Sequence, residues 1–262
     1  MKNILKITII QSELVWENSA QNRQVFLEKI KSISEVVDLI ILPEMFTTGF
    51  TMNPEKVAET MDGETIHWLK YLAKEKNTAI TGSLIIKEGN KYYNRLVFVH
   101  PTGEIKTYDK RHTFTLAGED KIYTAGNKKL IVAYKGWKIC PMICYDLRFP
   151  VWSRNTDDYN LLIYVANWPK PRITAWSTLL KARAIENMSY VVGVNRIGAD
   201  DNGHEYSGNS AAYNALGSEI STIEPNKNTT EIISISMDEL TKTRNKFGFL
   251  EDRDKFKMMN EE

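Results

Sequence analysis

Residues 38–50 read DLIILPEMFTTGF: four aliphatic side chains in succession, a proline, then an acid. Four aliphatics in a row offer no polar face, so a strand built from them must be covered on both sides. Covering both faces needs further layers of helix or sheet, as in α/β proteins. The acid, Glu44, stands where such a strand would end. In α/β sheets the carboxyl ends of strands are where sites assemble, although a solvated strand-end glutamate is the plainer reading of Glu44 alone.

Similar apolar runs recur along the chain: ILKITIIQ (4–11), TAITGSLII (78–86), YYNRLVFVHP (92–101), KLIVAY (129–134), KICPMICYD (138–146), YNLLIYVANW (159–168) and YVVGVNR (190–196). EIISISM (231–237) alternates Ile233, Ile235 and Met237 with Ser234 and Ser236, the pattern of a half-buried strand. Helical stripes lie between the runs. Phe26, Ile30 and Ile33 follow the capping candidates Asn18 and Ser19; Ile66, Leu69 and Ala73 form a second stripe; Ile173, Trp176, Leu180, Ala184 and Met188 form the longest. The first and last thirds thus read as alternating strand and helix. The middle reads as strands joined by turns at IKEGNKYY (86–93) and AYKGWKI (133–139), which counts against a strict βαβ barrel. No repeat, low-complexity tract or linker divides the chain, and residues 1–262 are read as one domain.

The composition narrows the function classes. At 42% hydrophobic and 26% charged residues it is that of a globular protein. Thirty-four basic against 33 acidic residues gives a net charge of +1, which offers no electrostatic case for nucleic acid or an anionic membrane. No stretch approaches the roughly 20 apolar residues of a membrane span. The opening residues lack the apolar core and cleavage site of a signal peptide and read as a first strand. With two cysteines and no export signal, the expected location is the cytoplasm.

One of those cysteines, Cys144 in PMICYDLRF (141–149), needs an explanation. On a strand, Cys140 and Cys144 would lie about 13 Å apart at about 3.3 Å per residue. A disulfide holds its Cα atoms within about 7 Å. A helix would bring them closer, but Pro141 lies between them. A metal site is equally poorly supported, because His67, His100, His112 and His204 are scattered without ligand spacing. Motifs that cradle phosphates are missing too. Core filler and nucleophile remain. A thiol with its ordinary pKa near 8.5 needs a base or a positive neighbour to react at neutral pH. Glu44 is the candidate base. Lys110, in GEIKTYDKRHTF (103–114), is the candidate cation for a forming oxyanion, and Glu119, in LAGEDKIYTAG (116–126), is a plausible second carboxylate. Each of these taken singly reads more simply as a solvated charge.

Together, LPEMFTTGF, YDKRHTF and ICYDLRFP resemble the nitrilase, or carbon–nitrogen hydrolase, superfamily, whose members carry a glutamate, a lysine and a cysteine in this order. The likeness continues through VANWPKPRITAW, LLKARAIENMSYVVGVNR and YSGNSAAYNALGSEI, and so covers nearly the whole chain. NWPKPR and RAIENMSYVVGVNRIG look like the bacterial ω-amidase branch. The resemblance implies a four-layer αββα sandwich, a symmetric homodimer, no metal or organic cofactor, and a small-molecule amide substrate. That substrate would be a short dicarboxylic monoamide such as 2-oxoglutaramate or 2-oxosuccinamate. An N-carbamoyl amine, an aliphatic amide or a nitrile is the alternative on the same machinery. It further implies that Glu44, Lys110 and Cys144 are catalytic, with Glu119 as the second glutamate. Many relatives place that glutamate further beyond the lysine, in a longer loop. The Tyr145 backbone N–H would join Lys110 at the oxyanion, and a strained turn would present the sulfur of Cys144. Trp168 is expected to wall the pocket and Arg172 to grip a substrate carboxylate; Arg148 is a second candidate, with a structural salt bridge as its other reading. Glu186 is expected to be structural.

Overall fold

Two sheets lie face to face, and helices cover their outer sides. The structure, a computed structural model, describes residues 3–258. Its strands are β1 (Ile4–Gln11), β2 (Leu39–Ile41), β3 (Ala79–Glu88), β4 (Lys91–Val99), β5 (Ile105–Asp109), β6 (Val132–Tyr134), β7 (Trp137–Ile143), β8 (Leu161–Ala166), β9 (Tyr190–Asn195), β10 (Ile197–Ala199), β11 (Glu205–Ser207), β12 (Ala211–Tyr213) and β13 (Thr229–Ser236). Its helices are α1 (Ser19–Ser32), α2 (Pro54–Val57), α3 (Glu64–Lys76), α4 (Glu119–Ile122), α5 (Pro150–Ser153), α6 (Ile173–Asn187) and α7 (Met237–Phe247). One sheet has the order β13-β1-β2-β3-β4-β5, the other β12-β9-β8-β7-β6, and β10–β11 is a separate hairpin. Central pairs β1–β2, β2–β3, β7–β8 and β8–β9 are parallel, and the outer pairs are antiparallel.

The two-residue period of a strand sorts the aliphatics between layers. Leu5, Ile7 and Ile9 of β1, Leu39 and Ile41 of β2, and Leu96 and Phe98 of β4 join a core shared with Ile139, Leu161 and Val191 of the second sheet. The alternate residues Ile10, Ile40, Val97 and Val99 pack outward with Phe26 and Ile30 of α1 and Ile66 and Leu69 of α3. This is why DLIIL carries no polar face. Each such fully buried side chain contributes about 1.5–3 kcal/mol relative to an exposed one. On the far side, Trp176, Leu180 and Ala184 of α6 are buried against the second sheet, as their spacing predicted. Gly193 of β9 makes that approach possible: a Cβ there would come within 2.4 Å of Leu180 Cδ1 and 2.8 Å of Trp176 Cζ2. The layers are therefore α, β, β and α.

Local signals worked where they were strong. Asn18 caps α1, its side chain accepting the Gln21 N–H at 3.1 Å. The β6–β7 hairpin turns through Lys135 and Gly136, both at positive φ. The last third departs from the expected alternation: residues 197–236 hold β10 to β13 with no intervening helix. Met237 does not continue the EIISIS strand, because Ser236 caps α7 by accepting the Glu239 N–H. KLIVAY pairs only over its last three residues. Among the described residues no helix is long and apolar enough to cross a membrane.

Candidate active site

The parallel strands deliver their carboxyl ends to one place. Glu44 follows β2, Cys144 follows β7 and Asn167 follows β8; Lys110 follows the edge strand β5. Pro141 is accommodated in β7 because β6 pairs only as far as Ile139. Beyond Ile143 the chain turns sharply, with Cys144 at φ 44° in the left-handed region. A non-glycine residue held there costs about 1–3 kcal/mol and persists only where its surroundings enforce it. This is the strained turn expected for the cysteine. Cys140 and Cys144 are both free thiols.

Three of the predicted charges meet behind the thiol, all buried. Lys110 Nζ lies 3.0 Å from Glu44 Oε1 and 2.8 Å from Glu119 Oε2, with exposures of 1, 0 and 0%. Burial alone would lower the lysine's pKa, but the carboxylates of Glu119 and Glu44 hold it above the ordinary value. The Glu119 carboxyl is raised by burial and by the charge of Glu44, against the pull of Lys110. Burial, reinforced by the charge of Glu44, pushes the Cys144 thiol well above its ordinary range. The nucleophile candidate is therefore a protonated thiol beside a carboxylate. It differs from a thiolate paired with an imidazolium.

Two asparagines complete the cluster, and sequence reasoning missed both. Asn94 of β4 donates Nδ2 to Glu44 Oε1 at 2.8 Å and to Glu119 Oε1 at 3.3 Å. Asn167 donates its backbone N–H to Glu44 Oε2 at 2.7 Å and its side-chain Nδ2 to the Glu44 carbonyl at 2.6 Å. Asparagine is depleted in strands, so Asn94 inside the apolar run YYNRLVFV was a usable signal.

Cys144 and Lys110 line a cavity of about 460 Å³, sized for a small molecule, with Tyr145, Trp168, Arg148 and Arg172. Trp168 lines it while donating Nε1 to the Arg172 carbonyl at 2.8 Å. Arg172 sits 5.0 Å from the centre of the Phe114 ring, and Arg148 sits 5.1 Å from that of Trp168. Among the described residues neither guanidinium has a carboxylate partner. Among these residues the salt bridge weighed for Arg148 is not formed. The cavity's one lining carboxylate among the described residues, Asp200, is occupied by the Tyr206 hydroxyl and the His204 and Asn202 N–H groups. Glu186 pairs with Arg183 at 3.0 Å on α6, a structural use. No group of three or more His, Cys, Asp or Glu side chains among the described residues is placed to hold a metal ion.

Comparison with known proteins matches residues 6–245 to the carbon–nitrogen hydrolase family. The chain is 45% identical to the ω-amidase YafV of Yersinia enterocolitica, over 97% of this chain and 99% of that one. It is 33% identical to a 2-oxoglutaramate amidase of Bacillus subtilis, over 80% of this chain and 83% of the other. Among solved structures, a carbon–nitrogen hydrolase superfamily protein of Xanthomonas campestris, with an arsenic adduct in its active site, superposes with a TM-score of 0.95. The two are 39% identical, and the match covers 98% of this chain and 99% of that one.

Proposed function

The chain belongs to the carbon–nitrogen hydrolase family and is an amidase, and from this we propose that it releases ammonia from the terminal amide of short dicarboxylic monoamides such as 2-oxoglutaramate, through a thioester on Cys144. Glu44 takes the proton of the Cys144 thiol as the sulfur attacks the amide carbonyl. The carbonyl oxygen gains negative charge, which Lys110 and the Tyr145 backbone N–H stabilise. Lys110 Nζ faces Glu44 Oε1 at 3.0 Å and both Glu119 oxygens, at 3.1 and 2.8 Å; with the two Glu119 oxygens sharing one N–H, the third N–H serves the oxyanion. Protonated Glu44 passes its proton to the amide nitrogen, the C–N bond breaks and ammonia leaves. Water, deprotonated by Glu44, then attacks the thioester; the acid departs and the Cys144 thiol is restored. Glu119 holds Lys110 in place throughout.

One observation carries the reading: a buried Glu–Lys–Glu cluster backs a cysteine on the wall of a cavity that also holds two arginines without carboxylate partners among the described residues. Such arginines suit a substrate with a carboxylate at the end remote from its amide. Ammonia release should therefore be faster from 2-oxoglutaramate and 2-oxosuccinamate than from N-carbamoyl amines, aliphatic amides or nitriles. Arg172→Met should lower kcat/KM for 2-oxoglutaramate by about 10- to 100-fold, the loss of one charge-assisted hydrogen bond. It should leave a simple aliphatic amide unaffected; an equal loss on both substrates would remove Arg172 from carboxylate recognition. The reading extends to a homodimer, for which exposed Val151, Ile185 and Leu216 supply apolar surface on the side of α6; sedimentation velocity reads it.

A further inference from the structure

Two residues after the cysteine, Asp146 is fully buried, yet its carboxyl group does not line the cavity. Four donors converge on it. Oδ2 accepts the backbone N–H of Ile143 at 3.1 Å and the Tyr108 hydroxyl at 2.7 Å. Oδ1 accepts the backbone N–H of His112 at 3.0 Å and lies 2.8 Å from His112 Nδ1. These donors come from two separate segments. Ile143 immediately precedes Cys144, while Tyr108 and His112 flank Lys110 two positions to either side. One carboxyl group therefore ties the turn bearing the sulfur, at the end of β7, to the segment bearing the ammonium, at the end of β5. The two strands belong to different sheets. The tie is itself braced: the Tyr108 hydroxyl accepts Trp152 Nε1 at 3.0 Å and the Arg111 N–H at 3.2 Å, and the His112 ring stacks on Phe149 at 3.6 Å.

We infer that Asp146 is a positioning residue, which joins residues 143–146 to residues 108–112 and so sets the placement of the Cys144 sulfur relative to the Lys110 ammonium. The inference rests on the roles proposed for Cys144 and Lys110 above. Its physical basis is the left-handed turn at Cys144, which relaxes unless held, and the Ile143 N–H bond is the restraint directly before it. A misplacement of about 1 Å between reacting groups costs about 100-fold in rate. Trp168 and Arg172, assigned to the substrate, lie on another segment and make no bond to Asp146.

Asp146→Asn turns one acceptor oxygen into a donor and leaves two of the four donors facing an NH₂ group. Its kcat for ammonia release should fall about 100-fold, with KM within about twofold of wild type. Tyr108→Phe removes a single donor and keeps the carboxyl group; kcat should fall about tenfold at unchanged KM. Wild-type kcat in Asp146→Asn, or a KM that rises in step with the fall in kcat, would overturn the inference. If Asp146→Asn does not fold, Tyr108→Phe decides alone, and an unchanged kcat there overturns it. A wild type that releases no ammonia from any amide would defeat the functional reading instead. The rate of Cys144 alkylation by iodoacetamide would then read the positioning: an altered rate in Tyr108→Phe supports it and an unaltered rate sinks it.

Discussion

Cys144→Ala is expected to fold normally and to lose ammonia release by on the order of 10⁴-fold or more, the loss typical of removing a nucleophile from a unit that works together. The fold should survive because the thiol is half-buried on a cavity wall and the groups behind it keep their own bonds. Glu44 retains Asn94, Lys110 and Asn167 as donors when the thiol is gone. No charge is removed either: burial and Glu44 hold the thiol well above its ordinary pKa, so it is protonated at neutral pH. The difference spectrum of wild type minus Cys144→Ala should then show no thiolate band at neutral pH. A strong band would mean that the sulfur is already ionised, and Glu44 would not be the group that takes its proton during attack. The sign for stability follows from the same shift. A thiol whose folded pKa is raised contributes stability that is present below its unfolded pKa and is lost as pH rises through the folded one. In alkaline solution the wild-type Tm should therefore fall relative to that of Cys144→Ala. Retained ammonia release by Cys144→Ala would end the thioester reading altogether.

What could be read from sequence depended on how local the cause was. DLIIL and LLIYVA are apolar on both faces because each strand lies between a second sheet and a helix layer, so their composition carried the layering. β5 gave no such signal; it is an edge strand with Tyr108 as its one fully buried side chain. β10, β11 and β12 are three residues each, too short for any period to show. At the site, Glu44, Lys110 and Cys144 were legible as a set, through shared order and flanking context, though none stood out singly. Asn94, Asn167 and Asp146 were not. Each acts through partners tens of residues away, from 25 between Asn94 and Glu119 to 123 between Asn167 and Glu44. Only folding brings such pairs together; the asparagine inside YYNRLVFV marks Asn94 locally but does not name its partners.

Lys110→Met should be nearly as damaging to activity as loss of the cysteine, and it should also destabilise the protein. The ammonium is the cation at the centre of two carboxylates that are wholly buried and share the Asn94 amide. Removing one partner of a buried ion pair costs about 3–5 kcal/mol, because the remaining charge is left uncompensated. A marked fall in Tm should appear together with a loss of about 10³-fold or more in kcat/KM. Those two effects have different origins, and a second substitution separates them. In Lys110→Met/Glu119→Gln one of the two orphaned carboxylates becomes a neutral amide, while Glu44 keeps the Asn94 and Asn167 donors. Part of the lost stability should return, because fewer like charges share the buried site. Ammonia release should not return, because no ammonium faces the forming oxyanion. A double variant that regains activity along with stability would make Lys110 a structural counter-ion and leave oxyanion stabilisation to backbone donors such as the Tyr145 N–H. A lysine needed for both purposes gives recovery in the melting curve and none in the ammonia assay.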